Sequence, residues 1–126
     1  MPKKILIVFG TRPEAIKLSL LIKKLSNDKR FDVKVCITAQ HRKMLDDVLE
    51  IFDIKPDYDL NIMKTGIDLI NTSTKILNGL NDILENFKPN VVLVQGDTTT
   101  VLATALASYY RQIPIAHIEA GLRTGN

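Results

Sequence analysis

Two uninterrupted apolar runs constrain the fold of this 126-residue chain more than any other feature of its sequence. Residues 5–9 read Ile-Leu-Ile-Val-Phe, and residues 91–94 read Val-Val-Leu-Val. Both have the length and the β-branched content of strands that are buried on both faces of a sheet. Each run leads into a polar turn and then into a segment with helical periodicity, which is typical of parallel βαβ units. The sequence therefore predicts an α/β fold, with a Rossmann-like parallel sheet and helices on both faces.

Hydrophobic periodicity and turn residues divide the whole chain into alternating strands and helices. We predict strands over residues 5–9, 31–38, 58–62, 91–94 and 115–118, and helices over 13–25, 45–52, 68–87 and 99–110. In the first helix, the residues expected to face the core are Ile16, Leu20, Leu21 and Leu25. The expected strand order is 3-2-1-4-5. Ligands then bind at the carboxyl ends of the strands where the order reverses, between the first strand and the fourth.

Composition is that of a globular protein, and we treat residues 1–126 as one Rossmann-like domain. The 17 basic residues are scattered, without the basic stripe and interleaved aromatic residues of a nucleic-acid-binding surface. No apolar run approaches the roughly 20 residues that cross a bilayer, and no signal-peptide pattern is present. We therefore expect no nucleic-acid or membrane partner. The single cysteine, Cys36, excludes an intrachain disulfide, and a reducing cytoplasm is the simplest location.

The turn after the first strand carries the residues of an anion-binding site. Gly10 permits a tight turn, and Glu14 suits the positive end of the dipole of the helix that follows. Between them lie Thr11 and Arg12, and Lys17 follows one helical turn later. Cations and backbone N–H groups at a helix N-terminus together bind anions. An alternative interpretation is that both cations are solvated surface residues.

Further polar residues follow the other strands at the same edge of the sheet. Asp97 comes after the fourth strand and Glu119 after the fifth, so two carboxylates share this edge with the cations. That mixture suits a ligand whose phosphate is held while a proton is moved. Asp97 fits equally well as a helix N-cap. Gln40 follows the second strand at this edge, and the neighbouring His41 and Arg42 fit either a ligand site or a polar helix start. His117 is expected to be a core residue.

Several common cofactor motifs are absent from the sequence. No Gly-x-Gly-x-x-Gly follows the first strand, no Gly-Lys-Ser/Thr occurs, and no Cys/His cluster has the spacing of a zinc site. We therefore expect neither a nucleotide cofactor nor a metal ion.

Four motifs together resemble one family, the non-hydrolysing UDP-N-acetylglucosamine 2-epimerases of bacteria and archaea. They are Gly-Thr-Arg-Pro-Glu-Ala-Ile-Lys at 10–17, Thr-Ala-Gln-His-Arg at 38–42, Gly-Asp-Thr-Thr-Thr at 96–100 and His-Ile-Glu-Ala-Gly-Leu-Arg-Thr at 117–124. The resemblance spans the chain in the right order. It implies a two-domain GT-B-type architecture, of which this chain is the N-terminal half in incomplete form, with substrate in the cleft between the domains.

The resemblance also implies a reaction, the interconversion of UDP-N-acetylglucosamine and UDP-N-acetylmannosamine by elimination and re-addition of UDP, without a cofactor. It implies that Asp97 and Glu119 are the acid/base carboxylates, and that Arg12 and Lys17 contact the diphosphate. Gly10 and Thr11 would belong to the same substrate loop. It further implies an activator pocket at Gln40 and His41, a homodimer of the full-length protein, and a role in cell-surface polysaccharide biosynthesis.

Some positions depart from the pattern of the family. Leu20 stands where a proline is frequent, Gln95 where a histidine often precedes Gly-Asp-Thr, and Lys43 where a Gln or Glu is common near the activator pocket. None of them removes a catalytic carboxylate. Members of the family also continue well beyond residue 126, so we expect the isolated chain to lack epimerase activity.

Three other functions remain open at this stage. A hydrolysing epimerase would release free N-acetylmannosamine and UDP. A glycosyltransferase of the same architecture would use the nucleotide sugar as a donor. A non-catalytic sugar-nucleotide-binding module would use Asp97 only as a helix cap and Arg12 only as a phosphate contact.

Overall fold

The computed structural model describes residues 1–38, 42–62, 69–95 and 99–118, with side chains for all of these except residues 42–44 and 69. Strands and helices alternate along these segments. The strands are β1 (Lys3–Phe9), β2 (Phe31–Ile37), β3 (Tyr58–Asp59), β4 (Val91–Gln95) and β5 (Ile115–Ile118). The helices are α1 (Arg12–Ser26), α2 (Arg42–Ile51), α3 (Leu69–Phe87) and α4 (Thr99–Tyr110).

The described strands form one parallel sheet in the order β3-β2-β1-β4-β5, which confirms the predicted fold class and strand order. β1 lies at the centre, with Ile7 opposite Val35 of β2 and Leu93 of β4. The chain moves outward from β1 through β2 to β3 and then returns across the sheet to β4. The order therefore reverses between β1 and β4.

Alternation along the strands separates the core into two layers. Ile5, Ile7 and Phe9 of β1 face the layer that α1 and α2 cover. Leu6 and Val8 face the opposite layer, which contains the buried residues of α3 and α4. Both layers bury residues of β1 completely or nearly so, as its unbroken apolar run predicts.

The short strand β3 is extended by further hydrogen bonds to β2. The backbone N–H of Leu60 donates to the carbonyl of Ile37 at 2.9 Å, and that of Ile62 donates to the carbonyl of Thr38 at 2.8 Å. Before β3, the Asp57 carboxylate accepts the N–H of Val35 at 2.8 Å. The predicted strand over 58–62 is therefore placed correctly, although only two of its residues form regular ladder pairs.

The face that α1 buries agrees with the prediction only in part, since Leu21 and Leu25 are partly buried and pack against the core as expected. Ile16 and Leu20 are 43% and 79% exposed, whereas Leu18 and Ile22 are buried. The buried face also contains the small residues Ala15 and Ser19. We attribute the difference to this pair, because small side chains let the helix lie close to the sheet.

The prediction that His117 is a core residue is also wrong, since its side chain is exposed. His117 pairs with Val94 of β4 in register, and β5 has a partner strand on one side only in the described part of the chain. Ile115, two residues earlier on the same face of β5, is likewise 38% exposed. The opposite face of β5, with Ala116 and Ile118, packs against the core, so only one face of this strand is accessible.

Candidate active site

The carboxyl ends of β1, β2 and β4 bring Gly10, Thr38 and Gln95 to one edge of the sheet, and α4 adds Thr100 from its first turn. Thr38, Gln95 and Thr100 are buried. The predicted site residues Asp97, Glu119, Gln40 and His41 lie outside the described residues. The described part of the predicted site is therefore the β1–α1 loop and its surroundings.

The Glu14 carboxylate, which is 4% exposed, organises the β1–α1 loop. Its Oε1 accepts the backbone N–H of Gly10 at 2.9 Å and that of Thr11 at 3.2 Å. Thr11 is the N-cap residue of α1, and its carbonyl accepts the N–H of Ala15 at 3.0 Å. A negative charge in this place is also favoured by the positive end of the helix dipole.

Gly10 is required by close packing around the end of β1. A Cβ at this position would lie 2.0 Å from the Oγ1 of Thr38 and 2.9 Å from the Oγ1 of Thr100. The two hydroxyls are 3.2 Å apart and form a buried hydrogen bond that joins the end of β2 to the start of α4. The φ of Gly10 does not lie in the left-handed region, so space rather than backbone freedom demands glycine here.

The two predicted anion-binding side chains are placed where a ligand can reach them. Arg12 is the first residue of α1 and is exposed, and Lys17 is exposed farther along the same helix. Five residues correspond to about 7.5 Å along a helix axis and about 140° around it. Arg12 therefore lies at the loop itself, and Lys17 lies on a different stripe of α1.

Three residues of this edge have roles beyond those that their local sequence predicts. Glu14 is expected only to interact with the helix dipole, although Thr at the N-cap followed three residues later by Glu is the sequence pattern of a capping box. The hydroxyl pair of Thr38 and Thr100 joins positions 62 residues apart, and no local pattern signals it.

A family model for the UDP-N-acetylglucosamine 2-epimerases matches residues 23–126. The chain belongs to this family. The UDP-N-acetylglucosamine 2-epimerase of Campylobacter jejuni is 61% identical over 126 residues, which cover 100% of this chain and 33% of that protein.

Two solved structures show the same relationship in three dimensions. The family member from Neisseria meningitidis, bound to UDP-GlcNAc, is 58% identical with a TM-score of 0.86, and the match covers 98% of this chain and 34% of that one. The family member from Methanocaldococcus jannaschii, in complex with UDP-GlcNAc and UDP, is 40% identical with a TM-score of 0.86. That match covers 96% of this chain and 33% of the other. The chain thus spans about a third of the length of these relatives.

Residues 1–38, 42–62, 69–95 and 99–118 contain neither a candidate membrane span nor a candidate metal-binding cluster. No helix in these segments is long and apolar enough to cross a membrane. Within the same segments, no three His, Cys, Asp or Glu residues are grouped so that they could hold a metal ion.

Proposed function

We propose that the protein containing this chain is a UDP-N-acetylglucosamine 2-epimerase, which interconverts UDP-GlcNAc and UDP-ManNAc without net hydrolysis. The observation that carries the proposal is the 61% identity, over the whole chain, to an enzyme of that name. The ligands named for the related structures, UDP-GlcNAc and UDP, support a UDP-sugar as the substrate.

In the proposed reaction, a carboxylate removes the proton at C2 of the sugar while the bond between C1 and the UDP oxygen breaks. UDP leaves with the electron pair of that bond, and a 2-acetamidoglucal remains. UDP then adds back at C1 while C2 receives a proton on the opposite face. Asp97 and Glu119 are the residues to which we assign the acid and base roles.

Arg12 and Lys17 are assigned to the diphosphate of the substrate. The leaving UDP gains negative charge as the C1–O bond breaks, and fixed cations lower the energy of that state. The exposure of both side chains supports this role, because neither is engaged in packing the core. We assign Gly10 and Thr11 to the backbone of the same loop, close to the substrate.

The remaining features of the proposal follow from the same resemblance. Gln40 and His41 are assigned to a pocket for an activating UDP-sugar. The full-length protein is proposed to be a cytoplasmic homodimer that needs no metal or nicotinamide cofactor. Substrate is proposed to lie in a cleft between this domain and a second one.

The test is incubation of a full-length protein that includes this sequence with UDP-GlcNAc in deuterated water. We expect UDP-ManNAc to form and deuterium to appear at C2 of both epimers. Release of free N-acetylmannosamine with UDP would instead identify a hydrolysing epimerase. Transfer of the sugar to an acceptor without exchange at C2 would identify a glycosyltransferase, and binding without turnover would identify a non-catalytic module.

A matched pair of substitutions tests the carboxylate assignment. Asp97→Asn should lower kcat by about 10²- to 10⁴-fold, the usual contribution of a positioned acid or base. Asp82→Asn is the control, because Asp82 is exposed on α3 and the same charge is removed there. Equal activity of both variants would remove Asp97 from the proposed mechanism.

A further inference from the structure

We propose that Glu14 is a positioning residue for substrate binding, whose carboxylate sets the β1–α1 loop so that Arg12 stands at the diphosphate site. The inference rests on the proposed function for the identity of the ligand. Glu14 is a buried acidic side chain beside a site that has to bind an anion. A carboxylate in that place needs an explanation, because it repels the phosphate that the loop is proposed to hold.

The hydrogen bonds of the Glu14 carboxylate explain its presence beside an anion site. The N–H groups of Gly10 and Thr11, which end β1 and precede α1, are the kind of donors that bind phosphate at a helix N-terminus. Both already donate to the Glu14 Oε1, at 2.9 and 3.2 Å. The carboxylate thus occupies the place of an anion within the loop, and the binding of an external anion is left to the side chain that projects from it.

The β1–α1 loop is held in place at both of its ends. Gly10 is wedged against the buried hydroxyls of Thr38 and Thr100, which leave no space for even a Cβ. Four residues later, Glu14 is 4% exposed and reaches back to the loop. Arg12 lies between these two fixed points and is exposed. Its backbone is therefore set before a ligand arrives, which reduces the ordering cost of binding.

A simpler role for Glu14 is to stabilise the first turn of α1 as a helix cap. The two roles predict different behaviour of the folded protein. A helix cap changes stability and leaves the ligand affinity of the folded protein unaltered. A positioning residue acts through Arg12, so that its loss weakens ligand binding only while Arg12 is present.

The experiment is a double-mutant cycle in the full-length protein, with UDP binding measured by isothermal titration calorimetry. Arg12→Ala and Glu14→Ala should each raise the Kd for UDP by about tenfold, and the double variant should bind about as weakly as Arg12→Ala alone. Glu14→Gln keeps an acceptor oxygen but loses the charge that strengthens both hydrogen bonds, and about a threefold rise is expected. Glu50→Ala is the control, because Glu50 is exposed near the end of α2 and the same side chain is removed there.

Two results would overturn the inference. One is additive effects, in which the double variant binds about 100-fold more weakly than the wild type. The other is an unchanged Kd in Glu14→Ala with a lower melting temperature, which is the behaviour of a helix cap. If Glu14→Ala does not fold, the cycle is completed with Glu14→Gln, and a change of less than twofold there counts against the proposal.

The result is separable from the test of the proposed function. A wild-type protein that binds UDP but shows no exchange at C2 refutes the epimerase reaction, and the cycle still decides the role of Glu14. A protein that epimerises but gives an additive cycle keeps its function and loses this inference. A wild-type protein that does not bind UDP overturns both.

Discussion

At the scale of single residues, Gly10 shows how a glycine can be demanded by its neighbours. Its Cβ would overlap the Oγ1 of the fully buried Thr38, whose hydroxyl is held by Thr100. Gly79 in α3 is a natural comparison, because its Cβ would meet the methyl groups of Leu60 at 2.6 and 3.0 Å. Those methyl groups are the far end of a flexible, half-buried side chain, which can move away.

We therefore predict that Gly10→Ala lowers the free energy of unfolding by about 1–3 kcal/mol, as overpacking of a close-packed site does. Gly79→Ala should change it by less than about 1 kcal/mol, since the gain in helix propensity offsets the adjustment of Leu60. Urea denaturation of both variants provides the measurement. A larger cost at Gly79 than at Gly10 would contradict this account of the β1–α1 loop.

The buried thiol of Cys36 is expected to lower the stability of the protein in alkaline solution. Burial raises the pKa of its thiol to about 12, and the Asp59 carboxylate adds to the shift. In the unfolded chain the thiol releases its proton near its ordinary pKa of 9.0, before the folded protein does. The unfolded state is therefore favoured increasingly between pH 9 and 12, by up to about 1.4 kcal/mol for each pH unit.

The measurement compares the pH dependence of unfolding in the wild type and in Cys36→Ala. The variant should lose stability less steeply above about pH 9, whatever its absolute stability, because all other titrating groups are shared. Below about pH 8 the two slopes should be the same. Parallel curves over the whole range would show that the thiol titrates alike in both states.

At the scale of elements, α4 carries two buried threonines in different situations. The hydroxyl of Thr100 bonds with that of Thr38, whereas the Oγ1 of Thr104 has no partner among the described residues. Both side chains are almost completely buried. An unsatisfied buried hydroxyl costs free energy, so the same change should have opposite effects at the two positions.

Thr104→Val should therefore raise the free energy of unfolding by about 1 kcal/mol, since it removes an unpaired hydroxyl with little change of shape. Thr100→Val should lower it by about 1–3 kcal/mol, because it leaves the Thr38 hydroxyl buried and unpaired. Chemical denaturation of the two variants is the measurement. Destabilisation by Thr104→Val would indicate a partner for that hydroxyl outside the described residues.

At the scale of the whole molecule, the chain spans about a third of the length of its relatives. The proposed substrate cleft also requires a second domain in addition to this one. We predict that the isolated 126-residue chain forms no UDP-ManNAc from UDP-GlcNAc in a chromatographic assay. Conversion above the background of a heat-denatured sample would refute this expectation.

The isolated chain is also expected to associate with itself. In the described part of the chain, β5 has one open edge, and Ile115 and His117 are exposed on one of its faces. On the neighbouring helix α4, Tyr109 and Tyr110 are 74% and 72% exposed. Unpaired strand edges beside apolar surface promote association, and a lysine in the edge opposes it.

Sedimentation velocity over a range of concentrations should show association that Ile115→Lys reduces. Lys55→Arg serves as a control, because it keeps the charge of an exposed loop residue away from β5. A monodisperse monomer of the wild-type chain at high concentration would contradict the expectation.

Local patterns are sufficient for much of the architecture. Helix α4 and strand β5 begin and end at the predicted residues, and the strand order follows from alternation and the crossover rules. The loop with Arg12 is identifiable from its residues alone. These features are predictable because periodicity, turn residues and helix starts act over a few positions of the chain.

Contacts between distant parts of the chain determine which side chains are buried and where only glycine fits. Leu20 of α1 is exposed and Leu18 buried, although both are equally apolar, because the small residues beside Leu18 let that face approach the sheet. His117 is accessible because it lies on the exposed face of β5, whereas Ala116 and Ile118 on the other face pack against the core. Gly10 must be glycine because Thr38 and Thr100 meet beside it. The sequence alone determines which side chains are apolar or small enough to be buried. Packing between elements that are remote in sequence determines which of those side chains are buried in the folded protein.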